Sequence, residues 1–169
     1  MSDLAIINDI LNEDFRYEHN SLVEDEANMS IDIDTRGCKS YIFQFDKKLG
    51  REYKGGIFPF FNSKSKNICK VCDFMIFSEH NKRIYVLIIE LKKGKQATSP
   101  QISAGECFIS FLNSTISRVH KKSINLIVRK VSIRDFERKR KTKIQDVTYD
   151  ENHHHFFQQD KFVIRSFLK

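Results

Sequence analysis

Glu90 and Lys92 stand two residues apart at the far end of an apolar run, RIYVLIIELKK from Arg83 to Lys93. Side chains alternate between faces along a strand, so Ile84, Val86, Ile88, Glu90 and Lys92 share one side, aliphatic at first and charged at its end. The two charged residues are then about 7 Å apart at the backbone. A third residue, Asp73, interrupts the run VCDFMIF, where an acid is costly unless it is paired, hydrogen-bonded or bound to metal. Two carboxylates and an amine at one place suit phosphodiester hydrolysis. The carboxylate oxygens can hold Mg²⁺, which keeps several waters, reaches a phosphate oxygen and lowers the pKa of a bound water. The lysine can orient or help deprotonate that water and stabilise the charge that grows on phosphorus.

Positioning these residues requires a hairpin. The pattern predicts a strand over Ile68 to Ser78, a turn at EHNK and a second strand over Arg83 to Lys93, apolar on both faces and therefore covered on both sides. Pairing the arms around that turn sets Phe77 near Ile84 or Arg83, and Asp73 opposite about Val86 to Ile88. That is roughly one pair short of Glu90, a gap that strand twist or a bulge would have to close. Ser99-Pro100 then supplies an N-cap and an N1 proline for a helix, QISAGECFISFLNS, with Ile102, Cys107, Phe108, Phe111 and Leu112 as its buried stripe. A strand over Ser123 to Ile133 follows, laid parallel to the preceding one by the helical crossover.

The flanks read less clearly. Leu4, Ile7, Ile10 and Leu11 recur at helical spacing behind Ser2 or Asp3, and Ser21 with Glu24 forms a capping-box pattern that predicts a second short helix toward Met29. KSYIFQFD (Lys39 to Asp46) is a β-rich run, and Pro59 makes IFPFF an edge strand or loop. RDFERKRKTK reads as a charged helix or loop, the adjacent His153, His154 and His155 as a solvated loop, and KFVIRSFLK as a closing strand. The fold class expected is α/β (α+β), a mixed β-sheet flanked by helices in a single domain, 1–169, with an acidic helical part over about 1–35 and a basic part over about 118–143.

Charge divides the chain more sharply than its net +7 suggests. Acids dominate up to Thr35, where Arg16 is the only lysine or arginine. From Arg118 to Lys143 the balance reverses, and the lysines and arginines stand against only two acids, Asp135 and Glu137. Such a surface attracts polyanions, nucleic acid first among them. Lys93, Lys95, Lys121, Lys122, Arg138, Lys139, Arg140 and Lys141 are the residues expected to hold its backbone. The cysteines, Cys38, Cys69, Cys72 and Cys107, include one CxxC pair with no second pair to complete a zinc site, and are expected as buried, reduced thiols. No apolar stretch approaches a membrane span and the acidic start lacks an export signal, so a cytoplasmic location is expected.

Asp73, sixteen intervening residues, then Glu90-Leu91-Lys92 resembles the PD-(D/E)XK nuclease superfamily, which has a restriction-endonuclease-like fold. The resemblance spans roughly Ile68 to Ile133. It implies that Asp73, Glu90 and the Leu91 backbone carbonyl hold Mg²⁺, with Mn²⁺ able to substitute, and that Lys92 serves the attacking water. It further implies a site role for Gln101, early in the following helix, and a metal-binding glutamate from an N-terminal helix, for which Glu24 is the candidate. Cys72 stands where the motif's name has proline. The function expected is a Mg²⁺-dependent nuclease acting on DNA in preference to RNA, as a homodimer or a subunit of a larger nucleic-acid-processing or defence complex. The alternatives are a catalytically inactive nuclease-fold subunit that binds nucleic acid or serves assembly, and a protein-interaction module using the acidic N-terminal surface.

Overall fold

The computed structural model describes residues 1–46, 61–62, 64–94, 97–134, 146–159 and 161–169. Helix α1 (Asp3–Ile10) opens the chain, capped by the Ser2 hydroxyl, which accepts from the Ala5 N–H. Strands β1 (Ser21–Glu24), β2 (Met29–Asp34) and β3 (Lys39–Gln44) follow, then β4 (Phe74–His80) and β5 (Arg83–Lys92). Helix α2 (Ser99–His120) crosses over to β6 (Leu126–Arg134), and β7 (His154–Phe157) and β8 (Lys161–Val163) complete the sheets. The result is a mixed α+β fold with a five-stranded sheet in the order β3-β4-β5-β6-β7 and a three-stranded sheet in the order β1-β2-β8. β3, β4 and β5 are antiparallel neighbours, whereas β5, β6 and β7 run parallel. This arrangement is consistent with a restriction-endonuclease-like sheet, and it includes the parallel strand expected after the crossover helix.

Strand β5 shows why the layers form. Tyr85, Leu87, Ile89 and Leu91 pack with Leu22, Ile31 and Phe162 of the small sheet, while Ile84, Val86 and Ile88 pack with Leu4 and Ile7 of α1 and with Ile102, Ile109 and Leu112 of α2. Both faces are thus apolar because helices cover one and a second sheet the other, each buried aliphatic side chain contributing about 1.5–3 kcal/mol. Glu90 and Lys92 continue the even-numbered, helix-side row.

Several expectations are corrected. Ser21 to Met29 is a β-hairpin rather than a helix: Leu22 and Glu24 point inward together with the strand period of two, and Asn28 takes a positive φ of 50° at the turn. On α2 the buried stripe is Ile102, Gly105, Ile109, Leu112 and Ile116; Cys107 and Phe111 face outward. All four cysteines are free thiols, but only Cys72 is buried. His154 and His155 lie in β7 rather than a solvated loop, with His155 buried and its Nδ1 2.7 Å from the Thr148 carbonyl. At the C-terminus only Lys161–Val163 is strand, followed by a 3₁₀ turn over Ile164–Phe167 that drives Phe167 into the core. The first four residues of IFPFF, 57–60, and the basic run 135–143 lie outside the described residues.

Candidate functional site

The β4–β5 hairpin decides whether the acids meet. Its turn is two residues long, Asn81 and Lys82, both at positive φ (50° and 59°), the conformation that matches strand twist in tight hairpins. His80 pairs Arg83, Phe77 pairs Val86 and Phe74 pairs Ile89. One step further, Asp73 stands opposite Glu90. The four-residue turn expected from EHNK is therefore too long, and correcting it closes the gap without any bulge. Hydrogen bonds fix the junction: the Leu91 N–H donates to Asp73 Oδ2 at 2.5 Å, and the Asp73 N–H donates to Glu90 Oε2 at 3.3 Å. Lys92 Nζ lies 2.8 Å from Glu90 Oε1.

Two more acids converge from outside the hairpin. One carboxylate oxygen each from Glu24, Asp46 and Asp73 lies within 4.8 Å of the others. β1 delivers Glu24 from the small sheet, whereas Asp46 arrives from just beyond β3, whose pairing continues through the Phe45 N–H donating to the Asp73 carbonyl. Glu24 thus comes from a strand, not from the helix that the family resemblance implies. Asp46 was not anticipated. The available signal was its place at the end of KSYIFQF, a strand whose pairing with the Asp73 strand brings their ends together.

Burial and mutual repulsion dominate the electrostatics. Asp73 is pushed up to about 9, first by desolvation and then by Glu90, against the opposing Leu91 N–H. Desolvation, then hydrogen bonding and repulsion from Glu24, push Asp46 up to about 7, and its Oδ1 is buried without a hydrogen-bond donor among the described residues. Burial also raises Glu90, with Lys92 working against the shift. For Lys92, burial is the largest single influence and pulls downward, but the bond to Glu90 and the charges of Glu90, Asp73 and Glu24 together outweigh it, so the amine is held protonated. The neighbouring Cys72 thiol is driven well up by burial and by Glu90 and Asp73, which keeps it from acting as a nucleophile.

No protein-family model, curated protein or solved structure matches this chain.

A cluster of buried carboxylates short of positive charge suits a divalent cation with a preference for oxygen ligands. The residues that present oxygens together are Glu24, Asp46 and Asp73, with Glu90 held one hydrogen bond behind, between the Asp73 amide and Lys92. Leu91 contributes its N–H to Asp73. Gln101 occupies the first turn of α2, half-buried, with its Oε1 unpartnered among the described residues. That turn is docked beside Glu90: the Thr98 hydroxyl at the helix start is 2.7 Å from Ser132 Oγ, and Ser132 is the β6 register partner of Glu90.

The lysines expected to hold a polyanion are dispersed. Lys93 is exposed just past Lys92, whereas Lys121 and Lys122 follow the far end of α2, about 30 Å from Gln101 at 1.5 Å per residue. Lys121 there takes a left-handed conformation (φ 53°), and Lys122 pairs with Asp3 of α1. Lys95, Arg138, Lys139, Arg140 and Lys141 lie outside the described residues. Among the described residues no helix is long and apolar enough to cross a membrane.

Proposed function

We propose that this chain is a divalent-metal-dependent nuclease that hydrolyses phosphodiester bonds, DNA in preference to RNA. The observation that carries the reading is the hairpin register, which sets Asp73 against Glu90 and Lys92 while Glu24 and Asp46 converge on Asp73 from two other strands. Asp73 and Asp46, both with raised proton affinity and the second with an orphaned oxygen among the described residues, fit Mg²⁺ or Mn²⁺ held together with Glu24, with Glu90 adjacent. Such an ion, when bound, supplies Lewis acidity toward a phosphate oxygen and a water of lowered pKa.

The protein's own groups supply the rest. Glu90 holds the Lys92 ammonium at 2.8 Å and fixes its direction. That ammonium, kept charged, donates to the attacking water or to a non-bridging phosphate oxygen and offsets the charge developing on phosphorus. In this reading it orients rather than deprotonates. The Leu91 amide fixes the Asp73 carboxylate, and the Gln101 amide group is placed in the first turn of the neighbouring helix to hold water or phosphate.

Incubating the protein with plasmid, linear and single-stranded DNA and with RNA, with Mn²⁺ or with EDTA, tests this. Cleavage that needs metal and falls at least a hundredfold in folded Asp73→Ala, Glu90→Ala and Lys92→Ala proteins is expected. Undiminished cleavage in all three would sink it. The Glu90–Lys92 ion pair, complete without a metal, supports a second reading, a nuclease fold that only binds; such a protein shows salt-dependent affinity and no cleavage with either metal.

A further inference from the structure

The row of side chains that starts at the acids continues across the sheet. Glu90 is registered with Ser132 on β6, and Ser132 with Phe156 on β7, all on the helix side. Two strand spacings place Phe156 about 10 Å from Glu90 at the backbone. Phe156 lies on the edge strand β7 and is 45% exposed, unusual for a phenylalanine in a sheet. Its neighbours are not apolar. The Arg134 guanidinium sits over the ring, 4.9 Å from its centroid, and the His154 imidazole lies 4.4 Å away, tilted by 35°. Arg134 is itself the register partner of Lys92, and its Nε is buried with no acceptor among the described residues. His154 is anchored by Nε2 at 2.8 Å from Ser132 Oγ, which bonds in turn to Thr98 at the start of α2.

Three flat groups in contact, one cationic with an unanswered donor, at the carboxyl ends of parallel strands and one nucleotide's reach from a phosphate-cleaving centre, define a particular ligand. We infer that Arg134, Phe156 and His154 form a shelf for an unpaired nucleotide next to the scissile phosphate. Its base stacks on the exposed planes, and Arg134 donates to its phosphate or base oxygen. This rests on the nuclease reading for the position of the scissile phosphate. A paired base is already stacked between its neighbours and presents no free face, so the shelf selects single-stranded DNA or frayed ends over intact duplex.

The chain contains no tryptophan, so Phe156→Trp installs a single fluorescent reporter in the full-length protein. In Ca²⁺, titration with short oligothymidine is expected to quench that fluorescence, and titration with a blunt hairpin duplex to leave it unchanged. Phe156→Leu is expected to weaken oligothymidine binding about tenfold, the scale of one lost base stack, without altering duplex affinity or the circular dichroism spectrum. Oligoadenylate RNA forms a third arm; quenching by it alone overturns the DNA assignment. Fluorescence that does not respond to bound oligothymidine, equal affinity in Phe156→Leu, or no binding of oligothymidine by the wild-type protein overturns the shelf. Quenching without metal-dependent cleavage supports the shelf and removes the nuclease reading instead. Cleavage without quenching does the reverse.

Discussion

Asp73 concentrates the conflict between stability and chemistry at one carboxyl group. Its proton affinity rises from the ordinary carboxylate value near 3.8 to about 9 because burial and Glu90 both oppose its charge. In the unfolded chain it ionises near its ordinary value, so between those limits the folded state holds the extra proton and metal-free stability falls as pH rises. That contribution is fully present below about pH 4 and lost by about pH 9. Asp73→Asn removes the penalty while keeping an oxygen for the Leu91 N–H. The metal-free variant is therefore expected to be more stable than wild type at pH 8, by on the order of 2 kcal/mol, and equal to it at pH 4. Thermal melts in EDTA at both pH values check this. A variant that melts lower than wild type at pH 8 would show that the Asp73 carboxyl group itself, beyond the oxygen it offers Leu91, is held for structure rather than for a ligand.

Among the elements, the approach of α2 to the sheet matters most to the site. Gly105 allows it: a Cβ there would stand 2.7 Å from Ile88 Cγ2 and 3.2 Å from Met75 Cε, both fully buried just below the acids. Gly105→Val is expected to destabilise the protein by about 1–3 kcal/mol and to lift the Gln101 turn away from Glu90, lowering cleavage further than stability alone explains. Urea titration and initial rates on the same preparations separate the two effects. How far these elements were legible in the sequence follows from the range of each signal. Strand parity is local, so Glu90 and Lys92 could be placed on one face from RIYVLIIELKK alone. The Asp73 register depended on turn length, and Asn81-Lys82 adopts two positive φ values without the Asn-Gly pair that usually announces such a turn. Ser21 and Glu24 satisfied a helix-capping pattern although Leu22 and Glu24 also satisfy strand alternation, and pairing with β2 made the strand reading prevail. Asp46 and Phe156 gain significance only from pairing between distant strands, which no local window contains.

At the scale of the whole molecule, the parallel strands β5, β6 and β7 point their carboxyl ends at one place, where Glu90, Lys92, Arg134 and Phe156 gather beside the start of α2. This is where open α/β sheets generally present their ligand sites. The other end of α2 carries Lys121 and Lys122, about 30 Å away. A stacked strand rises about 3.4 Å per nucleotide, so a polynucleotide centred on the acids must extend about nine nucleotides to reach them. The double variant Lys121→Gln/Lys122→Gln is therefore expected to leave the cleavage of shorter oligonucleotides unchanged. For substrates several times longer, it is expected to raise KM and flatten the salt dependence of binding by up to about one unit of log–log slope per lysine lost. Lys122 has less to lose, because Asp3 already answers its charge, so most of the change should fall on Lys121. Equal effects on short and long substrates would mean that nucleic acid follows another path from the site, and an unchanged salt slope would remove this end of the helix from the binding surface.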